Sequence, residues 1–388
     1  MIAVVDANAA GDGVRGAPAL VTDIDLGAAG GALEYATTTA GNATIVVAAS
    51  TQNPSIWFID PVTDTLIGKT RLDASYGQSG FSGDGGYVTA VVVDAANDRA
   101  ILAVWNGFAI VDLAMRTVSR VIAAPPSENF ALDPVHERLF APFYDCASSL
   151  DAAGHTPSTC STTHAADGTP MTDGLNVVDL GNGALYTYQN ATAGNPDAPV
   201  GTSPSGAAVD PTTGLVVVPS KGRQYQSILD FSKARFDETT HTVTAPESTL
   251  VGDGLTDVAV ASATHLGFWE GEAASDVAVA RLSTLAPRGD RDGGVRDASV
   301  LDAGAPDYAF GLLPALPDGG VWTNVVSSHG AAVSPGTTAS PPFGITVSKD
   351  FRWVARIDLT TLLALPATFN EVSDLSSAVT FLDARTKP

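Results

Sequence analysis

Ser205-Gly-Ala-Ala-Val-Asp210-Pro and His329-Gly-Ala-Ala-Val-Ser334-Pro are nearly the same sentence written twice, and Glu128-Asn-Phe-Ala-Leu-Asp133-Pro is a third version of it. Each is a short apolar strand closed by a polar turn residue. Aligned on that turn residue, Asp257-Val-Ala-Val-Ala-Ser262, Thr89-Ala-Val-Val-Val-Asp94 and Glu34-Tyr-Ala-Thr-Thr-Thr39 fall into the same register. Repetition of one strand pattern at blade-sized intervals is the mark of a β-propeller, where the first strand of every blade lines a common axis. The residues at the six strand starts are then Glu34, Thr89, Glu128, Ser205, Asp257 and His329.

Later strands recur as well: Ser55-Ile-Trp-Phe-Ile-Asp60, Gly107-Phe-Ala-Ile-Val-Asp112, Leu175-Asn-Val-Val-Asp179, Ile228-Leu-Asp230, Val277-Ala-Val-Ala-Arg281 and Val354-Ala-Arg-Ile-Asp358. Strand-like runs of Val, Ile, Ala and Thr alternate with Asp-Pro, Gly-Asn, Thr-Gly and Asp-Gly turns, and no long stretch carries a helical period. The prediction is an all-β, six-bladed β-propeller in one domain spanning 1–388, with blades near 33–75, 87–125, 127–190, 203–250, 255–300 and 327–383. The terminal segments Ala19-Leu-Val-Thr-Asp-Ile-Asp25 and Ala378-Val-Thr-Phe-Leu-Asp383 are both strand-like, so their pairing would close the ring. A seventh blade built from these ends is the alternative count.

Two insertions interrupt the blades, near 145–173 and 286–320. The first holds Cys146 and Cys160, the only two cysteines, in a polar loop with His155 and His164 nearby. A local disulfide is expected in preference to zinc, which points to a periplasmic or extracellular chain. The second contains Arg288-Gly-Asp290, a triplet short enough to arise by chance. The stretch Gly77-Gln-Ser-Gly-Phe-Ser-Gly-Asp-Gly-Gly86 lacks the Lys-Ser/Thr ending of a phosphate loop.

Composition narrows the partners. Hydrophobic residues make up 45% of the chain and charged ones 16%, enough apolar material for a core. A net charge of −22, from 42 acidic against 20 basic residues, disfavours nucleic acid and anionic membrane surfaces. No apolar run reaches the roughly 18 residues of a membrane span. Met1-Ile-Ala-Val-Val-Asp6 is too short for a signal peptide and lacks its basic start. The sequence leaves the oligomeric state open.

Three carboxylates and a histidine around one narrow axis repel unless they take up protons or a cation. Calcium suits such a ring because it accepts six to eight oxygen ligands in flexible geometry. Glu34, Glu128 and Asp257 would supply carboxylates from alternate blades, with Ser205 and Asn129 adding oxygens. His329 is better placed as a base or a substrate contact, and Thr89 as a substrate contact. Asp6-Ala-Asn8 with Asp12-Gly13 carries part of a calcium-loop pattern without its closing glutamate, so a second ion is an alternative to one.

The strand-initial Glu34 of the first blade and Asp257 of the fifth resemble the six-bladed calcium-dependent hydrolases, the gluconolactonase and senescence-marker, paraoxonase and diisopropyl-fluorophosphatase group. That group holds a catalytic calcium through Glu, Asn, Asn and Asp. Glu34 and Asp257 match the first and last; Glu128 and Ser205 stand where the family has its asparagines. The resemblance implies a calcium-dependent hydrolase of small neutral esters, lactones or phosphotriesters, with Asp257 as nucleophile or base and His329 assisting. No Gly-X-Ser-X-Gly elbow is present to suggest a serine hydrolase.

A second resemblance competes with it. Phe108-Ala-Ile-Val-Asp-Leu113 followed by Ala-Met-Arg-Thr-Val118 is similar to the YVTN and NHL-type repeat propellers of bacterial envelopes. This likeness implies a non-catalytic scaffold for a protein or glycan ligand. Trp57, Trp105, Trp269, Trp322 and Trp353 read as packing between blades, and His136 as a surface residue of a hairpin turn.

Overall fold

The architecture comes from a computed structural model, which describes residues 2–5, 17–18, 20–26, 33–40, 43–50, 54–73, 88–105, 107–125, 127–143, 173–190, 200, 204–221, 225–251, 255–271, 276–282, 308–311, 328–334, 341–348, 353–364 and 378–383. Cys146, Cys160, the Arg288-Gly-Asp290 triplet, Gly77–Gly86 and the Asp6–Gly13 segment lie outside the described residues.

A short N-terminal sheet pairs β1 (Ile2–Val5) with β3 (Leu20–Ile24), and β2 (Ala17–Pro18) lies between them in sequence. The first blade is β4 (Leu33–Ala40), β5 (Ala43–Ser50), β6 (Ser55–Asp60) and β7 (Thr65–Arg71). The second is β8 (Val88–Asp94), β9 (Arg99–Val104), β10 (Gly107–Asp112) and β11 (Thr117–Ala123). The third is β12 (Ala131–Asp133), β13 (Arg138–Phe143), β14 (Gly174–Asp179) and β15 (Leu185–Asn190). The fourth holds β16 (Ala208–Asp210), β17 (Leu215–Val218) and β18 (Tyr225–Asp230), then an inserted hairpin, β19 (Arg235–Asp237) and β20 (Thr242–Ala245), before its last strand β21 (Glu247–Val251). The fifth is β22 (Leu255–Ala261), β23 (Leu266–Gly271), β24 (Asp276–Arg281) and β25 (Tyr308–Gly311). The sixth is β26 (Ser328–Ser334), β27 (Phe343–Ser348), β28 (Trp353–Asp358) and β29 (Val379–Asp383), with a one-turn helix α1 (Leu359–Ala364) between the last two.

The fold is thus all-β, with six antiparallel blades in propeller order; the inner strands of blades three and four begin at Ala131 and Ala208, three residues after the predicted starts Glu128 and Ser205. The terminal pairing differs from expectation. β29 takes Ala17–Pro18 as a parallel neighbour, whereas Leu20–Ile24 pairs with β1, so the contact falls just before the predicted segment. Among the described residues the ends build no seventh four-stranded blade. The segment read as a second insertion contains β25, the last strand of blade five.

Contacts divide the chain into two compact units. Blades one to three and residues 235–244 belong to the first, and blades four to six with residues 3–23 to the second. Within the first unit, Val47, Ile56 and Phe58 of blade one pack on Leu102, Val104 and Val111 of blade two. Phe108 and Ile110 pack on Phe130, Leu139 and Val178 of blade three, with the Phe108 and Phe130 rings edge to face at 5.1 Å. In the second unit, Trp269 is fully buried among Val217, Ile228, Val258 and Ala278, between blades four and five. Phe268, Val277 and Val279 meet Ile357, Leu359 and Leu362 of blade six. Middle strands such as β9 and β10 are buried along their length because a blade covers each face, whereas outer strands such as β7 and β11 alternate toward solvent. Trp57 and Trp269 serve as packing residues, and Trp57 Nε1 donates to Leu26 O at 3.1 Å.

The strand-ending aspartates have a local purpose. Asp60 Oδ1 accepts from the amides of Val62 and Thr63, and Asp133 Oδ1 from Val135 and His136. Asp179 does the same with Gly181 and Asn182, and Asp237 with Thr239 and Thr240. Four residues after each of these aspartates stands a left-handed residue: Asp64, Glu137, Gly183 and His241. A carboxylate accepting turn amides, followed by one positive-φ position, reverses the chain between adjacent strands. Hydrogen bonds led by the Val62 amide hold Asp60 below the ordinary carboxylate range, and those led by Thr239 do the same for Asp237.

Candidate functional site

Glu34, Thr89, Asp257 and His329 lie near the starts of β4, β8, β22 and β26, whereas Glu128, Asn129 and Ser205 precede β12 and β16. Glu34, Thr89, Glu128, Asn129 and Ser205 belong to the first unit, and Asp257 and His329 to the second. The side chains of Glu34 and His329 lie outside the described residues.

In the first unit, the β8–β9 register shifts between Val88 and Ala90, which sets Thr89 in a bulge. A bulge re-aims the side chain of its extra residue. Thr89 Oγ1 donates to Ser127 O at 2.6 Å, tying blade two to the entry of blade three. Ser127 Oγ lies 2.6 Å from Pro142 O and 2.9 Å from Asn129 O. Asn129 Oδ1 accepts from the Phe130 amide at 2.8 Å. Glu128 is half-buried beside it, and Ser205 is buried.

The second unit repeats the device. The β22–β23 register shifts between Leu255 and Asp257, and the β26–β27 register between Ser328 and Ala331. Asp257 Oδ2 accepts from the Gly330 amide at 3.1 Å, joining blade five to blade six next to His329. Gly330 adopts φ +103°, a conformation that a side chain would strain. The contact places the Asp257 carboxylate on the backbone amide one residue past His329.

It also adds a residue the sequence reading missed. Glu270 stands opposite Asp257 in the β22–β23 register and is fully buried, while Asp257 is 9% exposed. Glu270 Oε2 accepts from Thr346 Oγ1 of blade six, and Thr346 is also fully buried. Directly opposed residues of an antiparallel pair hold their Cβ atoms about 5 Å apart on one face. The two carboxyl groups therefore share one face of the blade, both largely removed from water. The signal was available: Glu270 is the lone acid in the apolar run Leu266-Gly-Phe-Trp-Glu-Gly271.

Among the described residues, no three His, Cys, Asp or Glu side chains converge as a metal site. No described helix is long and apolar enough to cross a membrane.

No protein-family model matches this chain, and no curated protein matches it in sequence. Solved structures do match it in shape. The β-propeller domain of Myceliophteria thermophila Cps50 (Swd1) is similar with a TM-score of 0.50 at 10% identity, over 85% of this chain and 84% of that one. KlAtg21, solved in complex with the coiled-coil of AgAtg16, gives a TM-score of 0.50 at 8% identity over 92% of this chain and 90% of that one. At such identities the likeness speaks for the fold alone, a β-propeller.

Proposed function

We propose that this chain is a non-catalytic propeller scaffold of the periplasmic or extracellular kind, presenting its loop faces to a protein or glycan ligand. One observation carries the reading: two of the strand-start polar groups are engaged in holding neighbouring blades. Thr89 bonds the Ser127 carbonyl, and Asp257 takes the Gly330 amide. Thr89 Oγ1 and Asp257 Oδ2 thus serve backbone contacts between adjacent blades. The test is turnover of esters, lactones and phosphotriesters before and after chelation, with calcium restored. The scaffold reading expects none in any state. Calcium-restored turnover that disappears in Asp257→Asn would overturn it.

The buried Asp257 and Glu270 pair favours a second reading, the calcium-dependent hydrolase. Their carboxylates with the Thr346 hydroxyl form a hard oxygen donor set suited to calcium. A metal held there would polarise a carbonyl or phosphoryl oxygen of a neutral substrate. Asp257 would then act as base or nucleophile, with His329 beside it assisting. Calcium titration monitored by melting temperature distinguishes the two readings. The hydrolase reading requires a rise that Glu270→Gln removes, and the scaffold reading requires none.

A further inference from the structure

The inserted hairpin belongs to blade four by sequence and to blade three by contact. It follows β18 and precedes β21, yet its strands extend the blade-three sheet in the order β12-β13-β14-β15-β20-β19. Residues 235–244 accordingly fall in the first unit while the flanking residues fall in the second. Strands of three and four residues do not hold together alone in water, so the hairpin is ordered only by an edge that accepts it.

That edge is chemically specific. The Thr187 amide of β15 donates to His241 O at 2.9 Å. Phe236 stands edge to face on Tyr186, with centroids 5.0 Å apart, and the Arg138 guanidinium covers Phe236 at 4.3 Å. Tyr186 donates its hydroxyl to Glu238 Oε2 at 2.5 Å, and this bond pushes its pKa up to about 12. Val243 and Ala245 are buried. Pro246, which has no amide hydrogen, separates β20 from β21 and keeps the two ladders distinct.

We propose that the outer edge of blade three is an accepting site for a short hairpin whose second strand pairs with β15 and whose first strand and turn carry Phe236 and Glu238. The β19–β20 hairpin fills it in cis, and the same hairpin from a second copy of this chain is its occupant when the cis one lifts away. Cis occupancy wins at ordinary concentrations because tethering gives the hairpin an effective concentration of roughly millimolar. An uncovered β15 would expose unpaired amides and carbonyls, the usual template for pairing between chains.

The test replaces residues 235–244 by a short Gly-Ser tether and adds a labelled peptide of residues 234–246. Saturable binding to the tethered variant and none to the intact chain is expected. The Phe236→Ala peptide should bind about tenfold more weakly, the worth of one aromatic pair. A tethered variant that keeps its strand signal but takes up no peptide would overturn the proposal, as would equal uptake by the intact chain. Should the tethered variant fail to fold, the full chain carrying Phe236→Ala and Glu238→Gln serves instead. Faster exchange of the Thr187 amide and uptake of the wild-type peptide support the proposal, and unchanged exchange with no uptake refutes it.

Discussion

His265 Nδ1 lies 2.7 Å from Asp210 Oδ2, linking the first turn of blade five to the end of the first strand of blade four. Asp210 is fully buried, whereas the His265 side chain is 41% exposed. Since a carboxylate only accepts, the bond fixes the His265 tautomer with its proton on Nδ1. The same aspartate takes Thr212 through both its amide and its hydroxyl. His265→Ala leaves these bonds in place and removes one charge-assisted one, so it should cost about 2 kcal/mol in urea unfolding at neutral pH.

Asp210 itself should show a distinct pH signature. Burial pushes its carboxyl up, but hydrogen bonds from Thr212, His265 and Thr213 outweigh this and hold it below its ordinary value of 3.8. A carboxyl lowered on folding adds stability above its unfolded pKa and loses that contribution as pH falls through the folded one. Asp210→Asn should therefore be less stable than the wild type at pH 7, with the gap closing below about pH 4. Unfolding curves at several pH values measure it; a constant gap down to pH 2 would contradict this account.

Arg99 joins two acids of very different burial. Its Nε meets Asp94, which is 1% exposed, at 2.8 Å, and its Nη2 meets Glu137 of the next blade, 42% exposed, at 3.0 Å. Removing the cation strands a buried carboxylate, so Arg99→Met should cost about 3 kcal/mol. Glu137→Gln gives up only a half-exposed ion pair and should cost less than about 1 kcal/mol. Comparable losses in the two variants would show that the blade-to-blade link, rather than the buried charge, dominates.

The blades were legible because their signals are local. A strand's alternation, an aspartate that takes turn amides and a left-handed residue four positions later all lie within one short stretch, as in Asp133–Glu137 and Asp179–Gly183. The β19–β20 hairpin carries the same turn, Asp237 to His241, and that much could be read. Which sheet edge it joins could not, because edge choice depends on Tyr186 and Arg138, about 50 and 100 residues upstream. At the strand starts, the bulges at Thr89 and Thr256 leave no comparable local signature in the sequence. Glu270 was overlooked because its importance comes from the residue opposite it on β22, a register the sequence does not print.

Gly107 tests a tighter constraint. It opens β10 with φ +136°, and a Cβ there would sit 1.9 Å from Ile122 O and 2.8 Å from Ala124 N. Both are backbone atoms of the paired strand and its exit, so no rotamer change gives relief. Gly107→Ala should lower stability by about 3 kcal/mol and shift the β10–β11 ladder. Gly68→Ala offers the contrast, because its neighbour is the flexible end of Arg116 at 3.0 Å. It should cost no more than about 1 kcal/mol.

Glu270→Gln separates the charge of the buried pair from its shape. The amide keeps an oxygen for the Thr346 hydroxyl and nearly the same volume, while the negative charge opposite Asp257 disappears. Like charges directly opposite across a strand pair are destabilising, so in chelator the variant should be more stable than the wild type by about 1 kcal/mol. Asp257→Asn removes the same repulsion but also weakens the acceptor for the Gly330 amide, and it should gain less. Calcium supplies the reciprocal arm. If the pair is architectural, the ranking of the three proteins is the same with and without it; if the pair holds the ion, wild type rises above both variants on calcium addition. Melting curves of the three proteins in both conditions decide between an inner strand end that secures blade six and one that performs chemistry.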